Sequence, residues 1–158
     1  MKNFDYFEMR IPPKTQYIGI VRLTISGLAS RIGLTYDDIE DLKIATSEAV
    51  TNAIQHAYGD EIEDKDEVVI GCALYKDKLE IMVADYGRSF EFEEVKKKVG
   101  PYNENTEVEF IREGGLGLFL IESLMDELKV LNENGVTVFM TKYVSREQVN
   151  AHEETDVF

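Results

Sequence analysis

The apolar pattern opens with a period of two and then shifts to a helical one. Phe7, Met9 and Ile11 alternate with Glu8 and Arg10, the spacing of a half-buried strand, and Pro12–Pro13 ends it. Between residues 15 and 32 the apolar positions Ile18, Val21, Leu28 and Ile32 fall at helical intervals. Thr35 followed by Asp38 has the form of a capping box and predicts a second helix, running to about Tyr58 and stopped by Gly59. Its stripe is Ile39, Leu42, Ala45, Ala49 and Ala53. Two strand-like runs, Val68–Tyr75 and Leu79–Ala84, are joined by the polar turn Lys76-Asp77-Lys78 and read as a hairpin. A polar stretch from about Arg88 to Glu113, with Gly100-Pro101 inside it, is longer than a compact domain usually leaves without a function. A short apolar helix follows over Leu118–Met125. Leu128–Leu131 and Val136–Tyr143 then flank Asn134-Gly135, a strong hairpin signal.

Helices and strands come in blocks, not in strict β-α-β alternation. The pattern predicts an α+β two-layer sandwich, with a mixed, largely antiparallel sheet and helices on one face. One domain is expected over residues 1–145, and a polar tail over 146–158 is expected to fray.

Charge narrows the function classes. Seventeen basic against thirty-one acidic side chains give a net charge of −14, which repels phosphate backbones and speaks against nucleic acid as a partner. Such a surface attracts a basic partner, although acidity also serves solubility alone. The N-terminal MKNFDYFEMR has no apolar signal core and no run approaches membrane-spanning length, so a cytoplasmic protein with no membrane association is expected. Cys72 is the one cysteine; in its apolar, alternating segment it reads as a buried structural thiol.

Three motifs carry candidate chemistry. In Ser47-Glu48-Ala49-Val50-Thr51-Asn52, Glu48 and Asn52 are one helical turn apart and share a face, read as turned away from the alanine stripe. A carboxylate beside a neutral oxygen donor suits proton handling next to a hard cation such as Mg²⁺. Asp85-Tyr86-Gly87 closes the second strand of the first hairpin, where an acid can accept from a ligand amine and a glycine lets the backbone approach. Gly114-Gly115-Leu116-Gly117 leads into a helix, where exposed amides beside the positive end of the helix dipole favour phosphate. Each has an ordinary counterpart: a solvated helix face, an Asp-x-Gly turn, a glycine hinge.

Their order is more specific than any one of them. A Glu-x-x-x-Asn helix, Asp-x-Gly after a strand, then a long segment ending in Gly-x-Gly before a helix resembles the N, G1 and G2 boxes of the GHKL (Bergerat-fold) ATPase/kinase superfamily. The strings SEAVTNAIQHAY, DYGRSF and GGLGLFLIESLMDE are similar to the RsbW-type serine-protein kinases and anti-sigma factors, as are DDIEDLKIA at 37–45 and GVTVFMTKY at 135–143. The similarity weakens only near 60–66 and at the C-terminus. Ser89 stands where the wider superfamily has glycine, a feature of this branch.

The resemblance implies a mechanism. Asn52 would ligate the Mg²⁺ carried by ATP, and Glu48 would act as general base on the attacking serine hydroxyl. Asp85 would accept from the adenine amino group with Gly87 giving the base room, and Gly115 and Gly117 would line the phosphates. The segment between the second and third motifs would be an ATP lid. His56 would close its helix and take no part in chemistry. Arg22 matches a position that contacts partners in the family, the alternative being a surface salt bridge. The expected partners are a stress-response sigma factor, which the protein would sequester, and a STAS-type anti-anti-sigma protein, which it would phosphorylate on serine, acting as a homodimer. Two other readings stay open: a switch kinase on a STAS protein that binds no sigma factor, and a non-catalytic, nucleotide-gated sigma-binding module, against which the retained Glu48 speaks.

Overall fold

A computed structural model describes residues 3–57, 66–85, 100–101, 117–132 and 136–145. Its strands are β1 (Asp5–Ile11), β2 (Val68–Leu74), β3 (Lys78–Ala84), the two-residue β4 (Gly100–Pro101), β5 (Glu127–Asn132) and β6 (Val136–Tyr143). They form one sheet in the order β1-β2-β3-β6-β5-β4, and every ladder among the described residues is antiparallel. A 3-10 turn at Thr15–Tyr17 leads into α1 (Ile18–Arg31), followed by α2 (Tyr36–Ala57) and, later, α3 (Gly117–Leu124).

The helices cover one face of the sheet because strand alternation puts an apolar set there. Ile70, Cys72, Ile81, Val83, Val138 and Met140 join Val21, Ile25, Leu42, Ala49, Val50, Leu118 and Ile121 in the main core. The opposite parity, Ala73, Met82 and Phe139, makes a smaller cluster with Phe4, Tyr6, Tyr75 and Leu131. The expected α+β two-layer arrangement is therefore the observed one. The Cys72 thiol is wholly buried, and desolvation pushes its pKa up to about 12. No helix among the described residues is long and apolar enough to cross a membrane.

Local chemistry sets the element ends. The Thr35 hydroxyl accepts from the Asp38 N–H at 3.2 Å, the N-cap expected from that pair. At the end of α1, Gly33 takes φ 90°, which lets its N–H reach Ser30 O and the Leu34 N–H reach Ala29 O. That double closure is a Schellman turn, and it needs a residue without Cβ. Between β2 and β3 the Tyr75 N–H donates to Lys78 O, closing the predicted turn. The β5–β6 pairing brackets the Asn134-Gly135 turn, which itself lies outside the described residues. So do the helix stop at Tyr58-Gly59, the segment Arg88–Glu113 apart from Gly100–Pro101, and residues 146–158.

The second helix is the axis of the helical layer. Of the expected stripe, Leu42, Ala45, Ala49 and Ala53 are buried and Ile39 partly so, while Thr46, Val50 and Ile54 are buried as well. The extra burial arises because α2 packs against α1 on one flank and α3 on the other. A stripe read for one contact surface underestimates a helix with three.

Candidate functional site

Asn52 sits where two openings meet. It is only 8% exposed, so the expectation that its face turns away from the alanine stripe is corrected: α3 packs onto that flank and encloses the amide next to Ala49 and Ala53. Gly117, the first residue of α3, lies directly against it. A Cβ built on Gly117 would fall 2.6 Å from Asn52 Nδ2, inside any tolerable contact. The glycine is needed there for close approach of one helix to another's side chain.

Outward from Asn52 lies an open cleft of about 700 Å³ between α2 and α3. Half-buried Glu48 and Thr51, with Gln55, line it from α2; Gly117, Phe119, Leu120 and Ser123 line it from α3. Glu48 and Asn52 thus line the same space, beside the N-terminal end of α3.

Inward from Asn52 is a narrow, mostly apolar crevice of Ala49, Ala53, Val83, Val136 and Val138, with Asp85 as its one acid. Asp85 directly follows β3 and is 9% exposed. Its carboxylate oxygens accept from the Val136 N–H at 3.1 and 3.2 Å. Burial raises its pKa to about 6, with the hydrogen bonds from the Val136 and Asp85 backbone N–H groups pulling the other way. A carboxylate held in apolar surroundings and oriented by a strand amide is a strong, directed acceptor for one donor.

The structure therefore places Glu48, Asn52 and Gly117 on the cleft and Asn52 and Asp85 on the crevice, with Asn52 common to both. Gly87 and Gly115 lie outside the described residues, as do Ser89 and the His56 side chain. Arg22 is not part of the opening. Its Nη1 donates to Ser47 Oγ at 3.0 Å across the α1–α2 seam, and Ser47 Oγ donates to Lys43 O at 2.7 Å. Thr51, Ser123 and Phe119 escaped the sequence reading, because nothing in their local spacing separates them from ordinary helix surface. The Val136 N–H that orients Asp85 is fifty-one residues away and has no local signal either.

Known proteins resemble this chain in sequence and fold. The histidine kinase-like ATPase domain family matches residues 11–142. The serine-protein kinase RsbW of Oceanobacillus iheyensis is 50% identical over 154 residues, covering 98% of this chain and 96% of that protein. The protein of the same name from Bacillus velezensis is 57% identical over 148 residues, covering 94% and 91%. Among solved structures, the RsbU and RsbW domains of a Mycobacterium tuberculosis protein superpose with a TM-score of 0.62 at 22% identity, over 90% of this chain and 33% of that one, a likeness of fold. The fold is that of a histidine kinase-like ATPase domain. Within that class the chain belongs to the RsbW family of serine-protein kinases.

Proposed function

We propose that this protein is an ATP-dependent serine-protein kinase that phosphorylates a STAS-type anti-anti-sigma protein and, in the alternate state of a partner switch, sequesters a stress-response sigma factor. The observation that carries the reading is the meeting of Glu48, Asn52 and Gly117 in one cleft, with Asn52 also lining the adjacent crevice that holds Asp85.

The chemistry follows from placement. Adenine, a flat aromatic base, would enter the valine- and alanine-lined crevice, which has about 10 Å³ of open volume and must widen to take it, and its amino group would donate to Asp85. The phosphates then extend toward the start of α3, whose amides attract negative charge. Mg²⁺, when bound, neutralises charge on the phosphates. Among the described residues no group of three His, Cys, Asp or Glu side chains could hold a metal by itself. Asn52 would accordingly supply one hard oxygen, with phosphates and water completing the shell. Glu48 takes the serine O–H proton as the serine oxygen bonds to the γ-phosphorus and the bond from phosphorus to the bridging oxygen of ADP breaks.

The test is incubation with Mg²⁺ and γ-labelled ATP beside candidate STAS-type and sigma-type proteins. Label on a serine of the first and a stable complex with the second are expected. Label without a sigma complex would leave a switch kinase; a complex without label would leave a binding module. Sedimentation of the same samples checks the homodimer that the resemblance implies.

A further inference from the structure

One buried charge has no part in the chemistry above. Lys142 is 8% exposed and lies on β6 at a core-facing position, two residues beyond Met140. Its Nζ donates to Leu124 O, the last residue of α3, at 2.8 Å. The same ammonium lies 3.7 Å from Asp38 and 3.8 Å from Asp41 in the opening turns of α2, and 3.9 Å from Asp126. Asp126 in turn is locked to β6: its N–H donates to Thr141 O at 3.0 Å and its Oδ2 accepts from the Tyr143 N–H at 2.7 Å. The far end of α3 is thus tied to both the sheet and α2, while its near end rests by Gly117 on Asn52.

A buried lysine is a poor device for stability, since desolvating the ammonium offsets much of what its ion pairs return. An apolar residue would fill the same space. What an apolar residue cannot do is fix direction: Leu118 and Ile121 beneath α3 hold it by contacts that tolerate sliding, whereas a hydrogen bond to one terminal carbonyl does not. At 1.5 Å per residue, α3 is a rod of about 12 Å. A small tilt at Leu124 becomes a displacement of Gly117 relative to Asn52 and Glu48.

We propose that Lys142 is a positioning residue for nucleotide binding: by clamping the C-terminal end of α3 to the start of α2, it sets the width of the nucleotide cleft at the other end. The proposal rests on the reading of that cleft as the ATP site.

The test uses the full chain and Mg-ATP, with affinity from calorimetry and steady-state phosphorylation of the STAS-type substrate. Lys142→Met removes the clamp at nearly constant volume, and Asp38→Asn/Asp41→Asn cuts only the tie to α2 at half-exposed positions. Misplacement of a cleft wall by a fraction of a helical turn is expected to raise the Kd and KM for ATP about 10- to 100-fold in Lys142→Met, with a smaller rise in the aspartate pair variant. The turnover rate at saturating ATP should fall much less than KM rises, which loss of folded protein alone would not produce. The effects of the two variants should be non-additive when combined, because they act through one contact. If Lys142→Met does not fold, the aspartate pair variant decides alone. Unchanged Kd and KM in a folded variant, or a loss confined to turnover, overturns the clamp. Absence of Mg-ATP binding by the unaltered protein would instead overturn the cleft reading on which it rests.

Discussion

The crevice and the cleft share Asn52 and differ in almost everything else. Valines and alanines wall the crevice and leave one acid, Asp85, pinned by a backbone amide. The cleft is wider and mixed, lined by Glu48, Thr51, Gln55 and Ser123 together with Phe119 and Leu120, and bounded by the start of a helix. The first arrangement selects by exclusion: few ligands offer a flat apolar ring with a single donor at the right edge. The second tolerates charge and water, as phosphate and a hydrated cation require. On the proposed reading, recognition by Asp85 and chemistry at Glu48 lie in separate openings along one helix, joined only at Asn52.

The largest break in that comparison should come from Glu48→Gln. It preserves shape and removes the base, so transfer should fall about 10²- to 10⁴-fold while Mg-ATP affinity stays near normal. Single-turnover phosphorylation beside calorimetry separates the two, and normal transfer would remove Glu48 from its role.

Asn52→Ala touches both regions and is expected to lose both binding and transfer. Gly117→Ala sharpens the point, because its new methyl group would meet Asn52 Nδ2 at 2.6 Å. Affinity for Mg-ATP should drop on the order of 10- to 100-fold through displacement of Asn52. In the Asn52→Ala background the same alanine should cost little more, since the clash has gone. Additive losses would mean that Gly117 acts through something other than Asn52.

Asp85 sharpens the crevice through pH. With a folded-state pKa near 6, its carboxyl is increasingly protonated below that value and ceases to accept from an amine. Nucleotide affinity should therefore decline about tenfold for each unit well below pH 6, over and above any effect on the nucleotide itself. The stability of the unliganded protein runs the other way. A raised pKa favours the protonated folded state, so Asp85's contribution is complete below the ordinary carboxyl pKa of 3.8 and is lost as pH rises through about 6. Asp85→Asn should stabilise the unliganded protein at neutral pH by about 3 kcal/mol and abolish both pH dependences, while weakening ATP binding. Melting curves at pH 5 and pH 8 with and without nucleotide check both signs.

The smallest expected effect on nucleotide belongs to Arg22→Ala. Arg22 lies on the α1–α2 seam outside both openings, and its loss should cost about 1 kcal/mol of stability through the hydrogen bond to Ser47. Mg-ATP affinity should not change measurably. A large loss of affinity would show that the two openings are coupled through α1.

What could be read from the sequence was local. Thr35 and Asp38 announce their own cap, and period-two runs announce their own strands, because the partners lie within a few residues. The Glu48–Asn52 pair was legible as a shared face; its burial was not, because the flank that buries it arrives with α3, more than sixty residues later. Asp85 was legible as an acid at a strand end, whereas its raised pKa and its Val136 partner depend on the pairing of β3 with β6. Lys142 left one usable sign: a charged residue on the parity of Val138 and Met140, which strand alternation assigns to the core. Gly33 left another, between two apolar residues just past a helical stripe, where a left-handed cap belongs.

Cys72 offers an internal clock for opening of the whole fold. It lies on β2 with neighbours on both sides in the sheet and the helical layer above it. A thiol so enclosed, with its pKa near 12, cannot meet a soluble alkylating agent until the layers part. With no second cysteine in the sequence, each molecule that opens adds one mass tag. Pulse alkylation read by mass spectrometry would follow the population of open chains in crude mixtures, at nanomolar protein, with and without ATP. The same silence leaves the chain free to carry one engineered cysteine at the mouth of the cleft, at Ser123, as a lone attachment point for a fluorophore that reports nucleotide arriving.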